Sequence, residues 1–208
     1  MSSVNKRLVN KRKQIRKNYR NRNKLIIYKQ PGRFAPDRLR ANLVYIDTAL
    51  TRTVTSSDAM NWSYRSSAYD PDPGAFSGSI PGFVELANLY SLYQVRSMNL
   101  DLEVSNQGTE SVILVAWPSN VAQNTNSLTK ADLMEYSGNI RAQTKVISSV
   151  NGMGRGKVNV LAHGRQLIGP KFDTDLDYSA STSSNPVETF HINIGFANPY
   201  GNFAYPIS

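Results

Sequence analysis

The residues of this sequence best suited to bind a ligand are positively charged side chains, which are concentrated at its amino-terminal end. Residues 1–24 contain ten Lys and Arg and no Asp or Glu: Lys6, Arg7, Lys11, Arg12, Lys13, Arg16, Lys17, Arg20, Arg22 and Lys24. Each such charge can neutralise about one phosphate of a nucleic acid. The asparagines between them offer hydrogen bonds to phosphate or sugar, but nothing in the pattern reads bases. The segment therefore predicts a sequence-independent nucleic-acid-binding arm.

The same arm has almost no apolar periodicity, so it cannot bury enough surface to offset the entropy of its chain. We predict that residues 1–24 are disordered until they bind a polyanion. Tyr19 and Tyr28 are suited to stack on unpaired bases, which is worth about 1–3 kcal/mol for each base. A run of charge also fits a solvated tail, and residues 6–17 fit a nuclear-import signal.

A second group of candidate ligands is acidic. Asp173, Asp175 and Asp177 alternate, so in an extended chain their three carboxylates would lie on one side. Oxygen clusters of this kind suit a structural calcium ion, and Asp70 with Asp72 forms a second pair. The alternative is a solvent-exposed loop in which the Asp residues favour turns. We favour the loop, because the stretch lacks an EF-hand spacing and a nearby Glu.

Few residues remain as candidates for catalysis. The chain has no Cys, which excludes disulfides and thiolate nucleophiles, and its two histidines are too few for a dedicated His-ligated metal centre. Alternation places His191 on the polar face of its strand, and we predict that His163 and His191 lie at the surface or at an interface. The glycines of residues 152–156 lack the Gly-Lys-Ser/Thr ending of a phosphate loop and predict a hairpin turn. We therefore expect that this protein is not an enzyme.

The residues from 41 onward have a sequence pattern typical of an all-β protein, with short runs of β-favouring residues between turn-forming clusters of Gly, Pro, Asn, Asp and Ser. Apolar–polar alternation predicts half-buried strands, and the apolar run that ends at Pro118 predicts a central strand covered on both faces. The seven predicted strands span residues 43–54, 59–65, 96–104, 112–117, 141–149, 157–162 and 189–196. Strands of this number and spacing favour a sandwich or a jelly roll.

Two short helices are predicted in the loops between these strands. Apolar residues of 83–90 recur at helical spacing after the breaker Pro81-Gly82. Residues 129–136 open with Thr129 followed three positions later by Asp132, an arrangement that resembles a capping box. Both helices are expected to connect strands and to pack over the edges of the sheets.

Two longer patterns resemble a known family. They are PDRLRANLVYIDT at residues 36–48, directly after the basic arm, and YDPDPGAFSGSIPGFVELANLYSLYQV at residues 69–95. Together they resemble the single-jelly-roll capsid proteins of small circular single-stranded DNA viruses and of tombusvirus-like small viruses. The resemblance implies a single antiparallel jelly roll of two packed sheets, which tiles an icosahedral shell while the arm points inward at the genome. Some related shells hold calcium between subunits.

The charge distribution and the resemblance together predict three regions. Residues 1–24 form the disordered basic arm, residues 25–40 a linker into the fold, and residues 41–208 the jelly-roll shell domain. The first forty residues carry fourteen bases and one acid, whereas the rest carry ten bases and fourteen acids. The sequence has no apolar window of about eighteen residues and no signal-peptide pattern, so we expect no membrane association.

The implied jelly roll has eight strands, whereas the sequence supplies seven. Three explanations stay open: a short last strand at residues 204–207, a truncated chain, or a strand supplied by another segment such as residues 25–28. The last of these would cover the row of unpaired backbone groups that an incomplete sheet exposes. The alternative for residues 25–28 is the start of the folded domain.

The sequence therefore predicts a non-enzymatic capsid protein that self-assembles, in about sixty copies by resemblance to minimal shells, and packages a single-stranded DNA or RNA genome. Its expected location is the virion, with passage through the host nucleus. A non-viral nucleic-acid-binding β-domain with a basic tail is the first alternative and would carry aromatics and bases on its strand faces. A jelly-roll enzyme such as a cupin would need a metal-binding set of histidines.

Overall fold

A computed structural model of the chain describes residues 26–27, 36–47, 60–73, 79–108, 110–123, 129–139, 141–149 and 154–199. Most of the secondary structure in these ranges is antiparallel β-strand, and the helices are short. The predicted all-β class is therefore confirmed. The chain divides into two units, residues 1–44 and residues 45–208.

The described residues of the first unit contain a two-stranded ladder. β1 (Ile26–Ile27) pairs antiparallel with β2 (Leu39–Arg40). The sequence analysis offered residues 25–28 as a strand for the body; of these, Ile26 and Ile27 pair with β2 in their own unit. The other proposed source of an eighth strand, residues 204–207, lies outside the described residues, as does the arm of residues 1–24.

The second unit contains eight strands and three α-helices among its described residues. In chain order they are β3 (Met60–Arg65), α1 (Phe83–Ala87), β4 (Leu92–Tyr93), β5 (Ser97–Asn106), β6 (Val112–Ser119), α2 (Lys130–Ser137), β7 (Gln143–Ile147), β8 (Gly154–His163), α3 (Gly164–Ile168), β9 (Ala180–Ser181) and β10 (His191–Ala197). Two 3₁₀ turns, Pro170–Asp173 and Leu176–Tyr178, lie between α3 and β9.

The strands of this unit pair in a nested order. β3 pairs with β10, β4 with β9, β5 with β8 and β6 with β7, always antiparallel. β10 also pairs with β6, which completes a four-stranded sheet in the order β3-β10-β6-β7. β5 and β8 form a separate two-stranded sheet. From the innermost pair, β6–β7, outward to β3–β10, each pair therefore joins residues that are farther apart in sequence than the pair before it.

Alternation correctly predicts the two half-buried strands that form the two-stranded sheet. Along β8 the residues from Gly154 to Ala162 alternate between buried and exposed positions, and β5 shows the same period with half-buried inner residues. The inner side chains, among them Val158, Val160 and Leu100, join the main apolar core. Since successive side chains of a strand point to opposite faces, the polar residues between them face solvent.

The central strand β6 is covered on both faces, as its continuous apolar run predicts. Leu114 and Ala116 belong to the main core, whereas Val115 and Trp117 belong to a second cluster with Leu133 of α2. The strand continues through Pro118 to Ser119 instead of ending before the proline. Pro118 lies opposite Ile192 of β10 but beyond the residues of β6 that pair with β7, so its missing N–H interrupts no bond of the β6–β7 ladder.

The prediction of a half-buried β10 is wrong. His191, Asn193 and Gly195 were assigned to a solvent face, but all three are buried. The reason is tertiary, because α2 and the segment after β6 cover that face. A Cβ atom on Gly195 would lie 2.2 Å from Leu133 Cδ1, and the Asn193 side chain bonds to backbone groups of residues 121 and 123.

Both predicted helices are present, and the second has its predicted cap. In α2 the Thr129 side chain accepts from Asp132 N at 3.2 Å, while Asp132 Oδ2 accepts from Thr129 N at 2.8 Å. This reciprocal capping box satisfies donors that have no partner within a helix. In α1 the buried Phe83 ring packs edge-on against Tyr93, with 5.0 Å between ring centroids.

Other sequence predictions differ from the structure in extent. Residues 43–47 of the predicted strand 43–54 are irregular, and the rest of that segment lies outside the described residues. Of the strand predicted at residues 141–149, only β7 (Gln143–Ile147) forms. The two-residue strands β4 and β9, the helix α3 and the 3₁₀ turns were not predicted. Within the described ranges, no helix is both long and apolar enough to span a membrane.

Candidate functional site

The ten basic residues predicted to bind nucleic acid lie outside the residues that the structure describes. They are Lys6, Arg7, Lys11, Arg12, Lys13, Arg16, Lys17, Arg20, Arg22 and Lys24. Their role stays a prediction. The described part of the body holds the remaining candidates, which are an acidic stretch, a buried polar cluster and several surface groups.

The alternating aspartates do not meet the geometry of the calcium prediction. That prediction required an extended chain, but the stretch contains the two 3₁₀ turns Pro170–Asp173 and Leu176–Tyr178. The Asp173 carboxylate bonds to Arg96 and lies 3.6 Å from an Arg165 guanidinium nitrogen. In the ranges that the structure describes, no three His, Asp or Glu side chains are grouped to hold a metal ion.

The other two aspartates serve the local turn. Asp175 Oδ1 accepts from Asp177 N at 3.1 Å and thereby caps the second 3₁₀ turn. Asp175 Oδ2 also lies 3.6 Å from Lys171 Nζ. The alternative interpretation of this stretch, a loop in which Asp residues favour turns, is the one that these contacts support.

The end of β3 is tied to the loop that carries the Tyr-Asp-Pro-Asp-Pro sequence at residues 69–73. Arg65 Nε donates to the Asp70 carbonyl oxygen at 2.7 Å, and the guanidinium also bonds to the Asp70 carboxylate. The Arg65 backbone N–H donates to the Pro71 carbonyl at 2.9 Å. Charge-assisted hydrogen bonds are stronger than neutral ones, so these contacts fix the loop on β3. Asp72 of the same loop is fully buried.

Buried hydroxyl groups extend this cluster to segments far away in sequence. Ser66 Oγ accepts from Phe190 N at 3.0 Å, and Ser67 Oγ donates to Asn185 Oδ1 at 2.7 Å. The Tyr93 hydroxyl lies 2.9 Å from Ser67 Oγ, and burial raises the pKa of this phenol. The cluster therefore joins the end of β3 to β4 and to the loop before β10.

His191 lies in the same cluster and not at the surface. Its side chain is buried, with Nδ1 at 3.2 Å from Ser63 Oγ and Nε2 at 3.0 Å from Thr189 Oγ1. Burial, with a smaller effect from the Arg65 charge, lowers the pKa of His191 to about 4. The prediction of a surface or interface histidine is thus wrong for His191, because the face of β10 that carries it is covered.

The Ser63–His191 pair is not arranged as a catalytic nucleophile and base. A catalytic triad orients its histidine with a carboxylate, whereas here the second ring nitrogen bonds to the Thr189 hydroxyl. Ser63 is also 2% exposed, so a substrate carbonyl has no approach to its oxygen. The pair joins β3 to β10 at the end of the four-stranded sheet.

The outer face of the two-stranded sheet is mostly polar and contains no Phe, Tyr or Trp. Its exposed residues are Asn99, Asp101, Glu103 and Ser105 on β5 and Arg155, Lys157, Asn159 and Leu161 on β8. Lys157 Nζ lies 3.0 Å from Asp101 Oδ1. Single-stranded nucleic-acid platforms stack bases on aromatic rings, and this face offers none.

Among the described residues of the body, the two most exposed apolar side chains lie in the segment between α3 and β10. Leu176 is 78% exposed and Val187 is 81% exposed. A hydrogen bond of 2.9 Å from Glu188 N to the Asp177 carbonyl holds their two chain segments together. We refer to Leu176 and Val187 as the exposed apolar pair. Exposed apolar side chains are typical of surfaces that contact another protein when they form one contiguous patch.

Sequence reasoning missed the buried polar cluster, although part of its signal was present. The Asp-Pro repeat at residues 69–73 indicates a turn, but nothing in the sequence shows that Arg65 is the partner of that turn. The serines at positions 63, 66 and 67 are indistinguishable from surface serines until β10 is placed beside β3.

Comparison of the chain with known protein families, with curated proteins and with solved structures finds no match.

Proposed function

We propose that this chain is the coat protein of a small virus, which self-assembles into an icosahedral shell and packages single-stranded nucleic acid through the bases of residues 1–24. The observation that carries the proposal is the division of charge. A segment with fourteen bases and one acid precedes a β body with ten bases and fourteen acids. Such a basic arm binds polyanion electrostatically, while a net acidic body does not compete for it.

The nested strand pairing supports a jelly-roll form of the body. A jelly roll is a long antiparallel ribbon rolled into two sheets, and the four nested pairs from β3–β10 inward to β6–β7 have the order that such a ribbon requires. The pairing of β10 with β6 closes the roll. Jelly rolls are a common architecture of viral capsid subunits.

The surface of the body supports a role in assembly and not a role in catalysis. The exposed apolar pair is suited to contact between subunits, and the polar interior at the end of β3 fixes loops and offers no access to substrate. Assembly would bury the exposed pair and so remove its contact with water. By resemblance to minimal shells, the proposed virion contains about sixty copies of the protein. In this proposal residues 6–17 also direct import of the protein into the host nucleus.

Electron microscopy of the purified full chain tests this proposal. We expect closed, smooth particles whose nucleic acid survives nuclease treatment, and a particle mass that corresponds to sixty protein copies. A chain that stays monomeric, binds oligonucleotides and never closes a particle would contradict the coat-protein proposal and favour the nucleic-acid-binding domain. A mass of one hundred and eighty copies would correct the copy number alone.

Substitution of the exposed apolar pair tests the assembly surface within the same experiment. The double variant Leu176→Asp, Val187→Asp should form no particles, because each introduced charge would have to be buried without a partner. The matched control Thr174→Asp, Ser183→Asp adds the same two charges at exposed positions of the same segment. Equal loss of particles in both variants would assign the effect to charge and not to the apolar contact.

A further inference from the structure

Two arginines of the body share one carboxylate. Arg96 bonds to one oxygen of Asp173, and a guanidinium nitrogen of Arg165 lies 3.6 Å from the other oxygen. Among the ion pairs that join described residues, Asp173 is the only acid with two basic partners, and every other acid in these pairs has one. Two guanidinium charges and one carboxylate charge leave one positive charge in excess at this point of the body.

The fold brings the two arginines together from distant parts of the chain. Arg96 directly precedes β5, Arg165 lies in α3, and Gly164 N donates to the Arg96 carbonyl at 3.1 Å. Asp173 is the last residue of the first 3₁₀ turn after α3. We call Arg96, Arg165 and Asp173 the arginine clamp. Its members form one site, because a shared carboxylate joins their side chains and a backbone bond joins their segments.

The head groups of the arginine clamp are open to solvent. The Arg96 and Arg165 side chains are 56% and 70% exposed. A guanidinium carries five N–H donors, so a contact with one carboxylate oxygen leaves most of its donors free. The nearby acid Asp175 lies 3.6 Å from Lys171, so its charge has a partner of its own. The arginine clamp can therefore bind a further anion without breaking a contact within the protein.

The spacing of the two arginines suits a phosphate group. A charge-assisted bond of about 2.8 Å to one carboxylate oxygen and the 3.6 Å separation at the other keep the contacting nitrogens within roughly 9 Å of each other. A phosphate that accepts one such bond from each arginine spans about 8 Å between the two nitrogens. Arg is well suited to this role because its planar fork of donors matches the oxygens of a phosphate.

We propose that the arginine clamp binds a phosphate group, and that this group is a phosphodiester of the packaged strand. The inference rests on the proposed packaging function and adds one contact from the body to those of the arm. A phosphate contact reads no base sequence, so its contribution should be electrostatic. For single strands, the slope of log affinity against log salt decreases by about 0.7 for each phosphate contact that is lost.

The test compares two full-length double variants that lose the same charge. The clamp variant is R96Q/R165Q, and the control variant is K157Q/K171Q, in which each lysine pairs with one acid and is 62% or 81% exposed. Binding of a fluorescein-labelled twenty-nucleotide oligo(dT) is followed by anisotropy from about 0.1 to 0.3 M NaCl. Melting curves with and without about 20 mM inorganic phosphate, at constant ionic strength, report folding and the binding of free phosphate.

We expect the clamp variant to bind the oligonucleotide about three- to tenfold more weakly at physiological salt and to lose about 0.7 from the salt slope, with the control close to the wild type. The single variant R165Q should change in the same direction, and it replaces the double variant if that variant does not melt cooperatively. Equal weakening in the clamp and control variants would overturn the inference, since the effect would then be one of net charge. An unchanged clamp variant would also overturn it and leave the arm as the binding site.

Free phosphate is the other source of the same chemical group. A wild-type melting temperature that rises with inorganic phosphate, together with unchanged oligonucleotide binding by the clamp variant, would assign the arginine clamp to free phosphate and overturn its contact with the strand. A wild-type chain that binds no oligonucleotide at all would instead overturn the packaging function.

Discussion

The two main sheets of the body bury their residues in different ways. In the four-stranded sheet, β6 and β10 are covered on both faces, by the main core on one side and by α2 and the segment after β6 on the other. In the two-stranded sheet, β5 and β8 have one buried face and one exposed polar face. The difference shows that the same alternating sequence can lie in either environment, since β10 alternates as regularly as β8 does.

Replacing one leucine by alanine in each of the two sheets should give the largest difference in the free energy of unfolding. Leu114 of β6 is fully buried, whereas Leu102 of β5 is half-buried. Replacement of Leu114 by Ala should lower the free energy of unfolding by about 3–5 kcal/mol, because it removes buried methyl groups and leaves a cavity. Leu102→Ala should cost about half as much. Urea denaturation of both variants measures the difference, and equal costs would contradict the unequal burial of the two sheets.

Acid should destabilise the four-stranded sheet through His191. The pKa of His191 is lowered to about 4 in the folded chain, mainly by burial, so the unfolded chain binds the proton more tightly. Stability is therefore complete above about pH 6.5 and is lost as the pH falls toward 4, by about 3 kcal/mol in total. The variant His191→Gln should lack this part of the pH dependence. A wild-type stability that stays constant between pH 6.5 and 4.5 would show that the ring is solvated.

A polar side chain on the covered face of β10 should matter far more than one on the exposed face of β8. The Asn193 amide donates to the Val121 carbonyl at 3.0 Å and its oxygen accepts from Gln123 N at 3.2 Å. Asn193→Leu removes both of these hydrogen bonds from a fully buried position and should cost about 1–3 kcal/mol. The control Asn159→Leu, on the exposed face, should change stability little. Equal thermal shifts for the two variants would contradict the covering of β10.

The smallest effect is expected at the surface ion pair of the two-stranded sheet. Lys157 lies 3.0 Å from Asp101, and both side chains are more than half exposed. Solvent screens such pairs, so Lys157→Ala should change the free energy of unfolding by no more than about 0.5 kcal/mol. A loss several times larger in urea denaturation would indicate that the outer face is covered.

Period-two alternation predicted the faces of β5 and β8 because those faces are set within the two strands themselves. It failed for β10 because Asn193 and Gly195 are buried by α2 and by residues 121–123, which lie some seventy positions away in sequence. The contacts of His191 with Ser63 and of Phe190 with Ser66 join residues still farther apart in sequence, so no local pattern predicts them. The helix α2 was predictable down to its cap, because Thr129 and Asp132 are three residues apart.

The candidate site was predictable only in its charge. The excess of bases before residue 40 is a property of composition, and it needs no fold to be recognised. The aspartates at 173, 175 and 177 suggested calcium only on the assumption of an extended chain, and the pairing of Asp173 with Arg96 depends on β5 lying beside the end of β8. Ion pairing of the body's bases appears only in the folded chain.

The nucleic-acid content of assembled particles is the most direct test of the central claim that the arm packages a genome inside a shell built by the β body. Particles of the full chain and of a variant with the ten bases of residues 1–24 replaced by Gln are treated with nuclease, purified and measured for absorbance at 260 and 280 nm. We predict protected nucleic acid in the wild type and none with the arm variant, whose body should keep its β-sheet circular dichroism. Arm-variant particles that protect as much nucleic acid as the wild type would contradict the account.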